Sequence, residues 1–162
     1  MDEALIDFLI EFHAVRDYYE SQKIMEQIWR EADLSKNNSV WLALLQLAVG
    51  NYHYRRNNVV GAEILLTKSY EKISKNSIEL TSLGIIASDL LPQVSDQMDR
   101  IKKGLPYRSI NLPLTRELLI KALTKTKERK LNFYNQSNMR DSQLLNRHKC
   151  PYSNSLSKKK TN

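Results

Sequence analysis

The sequence predicts an all-α fold, a compact bundle of about five to six helices with one extended proline-containing segment and a basic, disordered C-terminal tail. Three observations predict it. Only four Gly and four Pro are spread over 162 residues, whereas an all-β fold needs a turn signal about every 8 to 12 residues. Apolar residues recur at spacings of three and four through most of the chain, the period of an amphipathic helix. Charge is also unevenly placed. Residues 1–124 hold 15 Lys and Arg against 16 Asp and Glu, while residues 125–162 hold 10 against 2, so the excess of +7 belongs to the tail. With 41% hydrophobic residues the chain supports one core, and one domain is expected over 1–130, followed by a tail over 131–162.

The elements follow in order. Leu5, Phe8, Leu9, Phe12 and Val15 form one stripe of a first helix over 2–15. Asp17 is placed to cap a second helix that runs to about Ala32. The stretch 34–38 reads as a polar loop. Ser39 is the next cap, and the following segment to Arg56 is apolar nearly all round in its first half, from Trp41 to Val49, which marks a central helix. Asn57 and Asn58 break it, and Asn58 caps a fourth helix from Val59 to about Ile73, so that the third and fourth helices form an αα-hairpin. The stretch 75–82 is polar and ambiguous. After a connection at Leu83-Gly84-Ile85, a fifth helix is expected from about Ser88 to before Gly104, because Pro92 is tolerated in a first turn and breaks a helix interior. Two prolines make 105–113 extended, and a sixth helix runs from Thr115 to about Lys130. From Asn135 onward large apolar groups are few, and disorder is expected.

Composition also bounds the setting. Cys150 is the single cysteine, so neither an intramolecular disulfide nor a cysteine-based zinc site forms, which fits a reducing compartment. The N-terminal residues are acidic where a signal peptide carries Lys or Arg, and no apolar run approaches the ~18 residues of a membrane span. The expectation is a cytoplasmic protein with no membrane association.

The chain contains no Gly-rich phosphate loop, no G-x-S-x-G and no H-E-x-x-H. No catalytic residue, metal ligand or cofactor is assigned from it. Glu20 and Glu26 are rotated by about 240° from one another on a helix, so they do not make a carboxylate pair. Their plainer role is ion pairing with Arg16, Arg55 and Arg56 on neighbouring segments. His53, between Tyr52 and Tyr54, reads as a packing histidine, and His13 and His148 have no partner motif. Trp29, Trp41, Tyr19 and Tyr52 read as core or groove-lining aromatics.

Three blocks together carry a family resemblance. They are Asp17-Tyr18-Tyr19-Glu20-Ser21-Gln22-Lys23-Ile24-Met25-Glu26-Gln27-Ile28-Trp29, then Tyr52 to Ala62, then Ile110 to Leu114 after Tyr107. In that order they resemble the bacterial and archaeal family known as domain of unknown function 309, over roughly residues 8–114. The first block is similar to that family's aromatic pair followed by Glu-x-His-Glu-x-x-Glu-x-x-Trp. The resemblance implies an all-helical bundle with no assigned biochemistry. It also implies that the family's His and following Glu stand here as Gln22 and Lys23, so that the metal-ligand pair that a His and a Glu one turn apart would make at the places of Gln22 and Glu26 is lost, with a repelling cation at Lys23. The motif residues taken forward are Tyr19, Glu20, Gln22, Lys23, Glu26, Trp29, His53, Arg56 and Asn58.

These readings favour a non-enzymatic interaction module that binds a protein partner, or a second copy of itself, through the surface around the second and third helices. Two alternatives stand beside it. One is a degenerate metal-binding or hydrolase-like fold with a partial site at Glu20, Glu26 and His53. The other is a nucleic-acid accessory protein whose tail, from Lys125 to Lys158-Lys159-Lys160, makes nonspecific phosphate contacts.

Overall fold

The structure, a computed structural model, describes residues 2–32 and 39–147. The expected loop at 34–38, His148, Cys150 and the end of the expected tail lie outside the described residues. Among the described residues, six long helices and two short ones make an all-α fold.

Helix α1 (Asp2–Ile10) continues into a π-helical turn, Glu11–Val15, and buries Leu5, Phe8, Leu9 and Phe12. Helix α2 (Tyr18–Glu31) starts where the Asp17 carboxylate accepts the Glu20 N–H at 3.0 Å. Helix α3 (Val40–Arg55) is capped by the Ser39 hydroxyl on the Leu42 N–H, and its Ala43, Leu44, Leu47 and Ala48 are fully enclosed, as its all-round apolar sequence requires. Asn57 turns the chain in the left-handed region (φ 63°), and Asn58 caps α4 (Val59–Lys75) through the Gly61 N–H. The α3–α4 hairpin closes tightly because Gly50 has no side chain: a Cβ there would lie 2.8 Å from Leu66 Cδ2. Ser69 Oγ also donates to the Ala43 carbonyl at 2.8 Å across the pair.

The ambiguous stretch forms a short helix, α5 (Ser77–Ser82), and Gly84 (φ 103°) then turns the chain. Ile85 and Leu114 form an isolated antiparallel bridge, and the Ile86 N–H donates to the Pro113 carbonyl at 2.8 Å. This pins the end of the extended segment 105–113 to the start of α6 (Ala87–Lys102). Pro92 is the sixth residue of α6, not part of its first turn as expected. Its ring removes one donor to the preceding turn, and α6 tolerates this because its buried Leu90, Val94 and Ile101 hold it against the core. A buried amide pair, Gln97 Nε2 to Asn51 Oδ1 at 2.7 Å, joins α6 to α3. Helix α7 (Arg116–Glu128) lies against α1.

The chain beyond residue 130 departs from the expected boundary. Residues 131–147 lie on the bundle as a strap that includes the short helix α8 (Ser142–Leu145). Phe133 is buried against the His13 ring, the Asn135 N–H donates to the His13 carbonyl, and the Asn135 side chain donates to the Ala14 carbonyl. Specific hydrogen bonds and one buried aromatic hold a segment that average composition assigns to disorder.

Candidate functional site

The π-helical turn sets up the most polar part of the interior. It ends at Arg16, whose backbone is left-handed (φ 58°) while its own N–H and that of Asp17 both return to the Glu11 carbonyl. A non-glycine residue in that region costs about 1 to 2 kcal/mol, and the side chain offsets it. Arg16 is 1% exposed, and its guanidinium donates to the Asn135 carbonyl (2.7 Å), the Ile110 carbonyl (2.6 Å) and Asn111 Oδ1 (2.6 Å). Every acceptor is neutral.

A second buried guanidinium lies beside it. Arg55, the last residue of α3, is 4% exposed; its Nη1 donates to the Arg16 carbonyl at 2.6 Å and to Ser137 Oγ at 3.3 Å. Its charge sits 4.4 Å from the Tyr18 ring centre, a cation–π contact. Its Nε and Nη2 are buried with no hydrogen-bond partner among the described residues. Burial holds Arg55 below its ordinary pKa, against the opposing pull of Tyr18, Tyr107 and Asp17.

A cluster of hydroxyls adjoins this pair. The Tyr107 hydroxyl meets those of Tyr18, Ser109 (3.1 Å) and Ser137 (2.9 Å), and Ser109 and Ser137 are 3.1 Å apart. Burial, reinforced by Tyr18, pushes Tyr107 well above its ordinary pKa, so this phenol stays protonated. Asp17, 2% exposed, contributes the one buried carboxylate among the described residues, and it is engaged twice, by the Glu20 N–H and by Arg147 from the strap. The cluster is therefore a set of buried donors with an excess of positive charge. It suits recognition of an anion.

The sequence candidates mostly lie outside it. Glu20 and Glu26 do not pair with Arg16, Arg55 or Arg56 as expected. They pair along their own helix, with Lys23 at 3.8 Å and Arg30 at 2.6 Å, because Arg16 and Arg55 turn inward to carbonyls. The Lys23 and Arg147 cations lie 5.8 and 6.0 Å from the Tyr19 ring centre. Gln22 is half-buried; Trp29 is half-buried against the core, with its Nε1 enclosed and without a partner among the described residues. His53 contacts the Asn58 side chain at 3.1 Å, and burial, then the charge of Arg56, lowers its pKa. Arg56 donates to Asn146 Oδ1 and lies over the Tyr52 ring. Among the described residues no three His, Cys, Asp or Glu side chains are grouped to hold a metal ion, so Glu20, Glu26 and His53 are not gathered.

His13 is a correction. It was expected to lack partners, yet it is fully buried, with Nδ1 donating to the Leu9 carbonyl and Nε2 accepting the Leu112 N–H, each at 2.8 Å. Three cations of the basic C-terminal region are likewise committed to ion pairs: Lys125 with Asp7, Arg129 with Glu11 and Arg147 with Asp17.

The sequence offers Arg16 and Arg55 only as ion-pair partners of Glu20 and Glu26, and Tyr107 and Asn111 only as part of the third motif block; it brings none of the four together as a site. The available signal was that all three motif blocks contribute here, Asp17-Tyr18 from the first, Arg55 from the second, and Ile110-Asn111 from the third. A separate feature lies on the outer face of α4, where Val60 and Ile64 are 70% and 51% exposed beside a shallow groove of about 510 Å³ rimmed by Glu63, Lys68 and Glu71. Among the described residues no helix is long and apolar enough to cross a membrane.

Comparison with known proteins places the chain in context. The family model described as Domain of unknown function (DUF309) matches residues 5–65. The uncharacterised protein YpuF of Bacillus subtilis (strain 168) is 37% identical over 120 residues, which span 74% of this chain and 69% of that protein. No solved structure matches.

Proposed function

The chain belongs to the DUF309 family, and from that premise we propose that it is a non-enzymatic helical interaction module that docks a protein partner, a second copy of itself included, on the outer face of α4. The observation that carries this reading is the exposed aliphatic pair Val60 and Ile64, one turn apart on one helix face and rimmed by charged side chains. Apolar side chains of that size, clustered and ringed by polar groups, are the pattern of a contact surface. The surface around α2 and α3, expected to serve, is less suited. The outer side of α2 presents Lys23, Glu26 and Arg30 in ion pairs along the helix. Docking there would desolvate charges for little apolar gain. The contact therefore moves to α4, the hairpin partner of α3.

Sedimentation analysis and affinity capture from the source organism, each with wild type and with Val60→Glu/Ile64→Glu, test the reading. Exposed positions tolerate such changes within about 0.5 kcal/mol, so the variant folds. The expected result is a dimer, or a captured protein, that the double variant loses. A wild type that stays monomeric and captures the same proteins as the variant sinks the proposal.

A further inference from the structure

We propose that the Arg16–Arg55 cluster is a closed binding site for a small phosphate-type oxyanion, either inorganic phosphate or the phosphate of a small metabolite monoester, with the strap 131–147 as its cover.

Charge comes first. Among the described residues the one buried carboxylate is Asp17, next to Arg16 in the chain, and it is already shared between the α2 cap and Arg147. Neither Arg16 nor Arg55 is in an ion pair among the described residues. A buried cation without a counter-charge is costly, and a phosphate carries between one and two negative charges near neutral pH, matching the unbalanced charge of the two guanidiniums.

Geometry selects the same ligand. Each of the three Arg16 nitrogens has an acceptor between 2.6 and 2.7 Å away, which engages three of its five N–H donors. Arg55 is only partly used: Nη1 is engaged, and among the described residues Nε and Nη2, which carry three N–H donors, have no partner although the residue is 4% exposed. Those two nitrogens form the edge of a guanidinium that grips two oxygens of one oxyanion side by side. Ser137 Oγ lies 3.3 Å from Arg55 Nη1 and adjoins the Tyr107 and Ser109 hydroxyls. The hydroxyls of Tyr18, Tyr107, Ser109 and Ser137 share four hydrogen bonds among themselves, so an oxyanion on the Arg55 edge accepts from Ser137 by replacing one of them; a tetrahedral oxyanion has oxygens for both the edge and the hydroxyl, and a carboxylate gripped by the edge does not.

Access selects its size. The free nitrogens are enclosed, so a ligand enters by displacement of the strap, whose Ser137 and Arg147 hold it to Arg55 and Asp17. A small anion fits beneath a cover that recloses; a folded partner does not. The site is independent of the α4 face and does not require that surface to dock anything.

The test is calorimetric titration of the intact protein with inorganic phosphate and, separately, with glycerol 3-phosphate, at constant ionic strength against a chloride control. Hydrogen exchange of the 131–147 amides is followed in parallel. Wild type is expected to bind at least one of the two saturably in the micromolar to low millimolar range and to exchange more slowly at the strap when bound. Binding of glycerol 3-phosphate supports a monoester, and binding of inorganic phosphate alone supports the free ion. Arg55→Gln is expected to weaken binding about tenfold or more, and Ser137→Ala to weaken it several-fold. Wild type with no saturable response to either ligand overturns the proposal, whatever the variants do. Unchanged affinity in a folded Arg55→Gln overturns it too, and should that variant fail to fold, unchanged affinity in Ser137→Ala does so.

Discussion

Replacing His13 by glutamine should remove a pH dependence from stability, and the size of the effect follows from the hydrogen bonds on the ring. The Nδ1–H donates to the Leu9 carbonyl while Nε2 accepts from the Leu112 N–H, so the imidazole is held neutral in one tautomer. Protonating Nε2 would set one N–H against another inside a packed layer that includes Phe12 and Phe133. Burial, with Arg16 adding to it, lowers the pKa to about 3 from 6.5, against the opposing hydrogen bond to Leu9. The unfolded chain thus binds a proton below pH 6.5 that the folded chain refuses until about pH 3. Stability from this group is complete above pH 6.5 and falls as pH drops through that window. At about 1.4 kcal/mol per pH unit, the loss is about 2 kcal/mol at pH 5 and approaches about 5 kcal/mol near pH 3. A glutamine side chain in its place would offer an amide donor and acceptor without titrating. The absolute stability of His13→Gln is expected to be lower at every pH because the ring contacts are gone. The readout is therefore a difference of differences: urea unfolding of both proteins at about pH 7.5 and about pH 5, where carboxylates common to both cancel. Wild type should lose about 2 kcal/mol more than His13→Gln between the two pH values. Parallel losses would refute the claim that His13 is locked neutral.

Two further outcomes follow from the packing. Gly50→Ala would place a methyl group 2.8 Å from Leu66 Cδ2 and 2.9 Å from its Cγ. Leu66 is fully buried, so overpacking of about 1 to 3 kcal/mol outweighs the helix-propensity gain of about 1 kcal/mol; thermal unfolding followed by circular dichroism should show a lower Tm, and an unchanged or raised Tm contradicts the close α3–α4 approach. A chain ending at Lys130 would expose the Phe133 contact surface and take the Asn135 acceptor from Arg16. Unfolding in denaturant should then report a loss of about 2 to 5 kcal/mol, whereas equal stability would mean that the strap contributes nothing to the fold.

The fold was legible in sequence wherever its cause is local. Asp17, Ser39 and Asn58 cap the helices they were expected to cap, because a cap is an interaction between residues three apart. The strap was illegible for the opposite reason. Composition over 131–162 averages to a disordered segment, but one aromatic, Phe133, and one amide, Asn135, contact His13 and Ala14 of the π-helical turn more than a hundred residues away. Pro92 was placed in a first turn by a rule about isolated helices, and buried neighbours override that rule. The short helices α5 and α8 span too few residues to show a period at all.

The arginine cluster was hidden for a more general reason, which also explains its properties. A sequence reading looks for a carboxylate to match each arginine, and here it assigned Arg16 and Arg55 to Glu20 and Glu26. Their real acceptors include the main-chain carbonyls of Ile110, Asn135 and Arg16, groups that every residue carries and that no side-chain pattern reveals. Satisfying an arginine with carbonyls meets its hydrogen-bond geometry but leaves its charge unanswered. Arg55, with two nitrogens that have no partner among the described residues, is where both deficits coincide. That separates the two surfaces of the molecule by their physics. The α4 face lacks only contact area and can be covered by any complementary apolar surface, whereas the interior cluster lacks negative charge and acceptors, which a hydrophobic partner does not supply and a small oxyanion does.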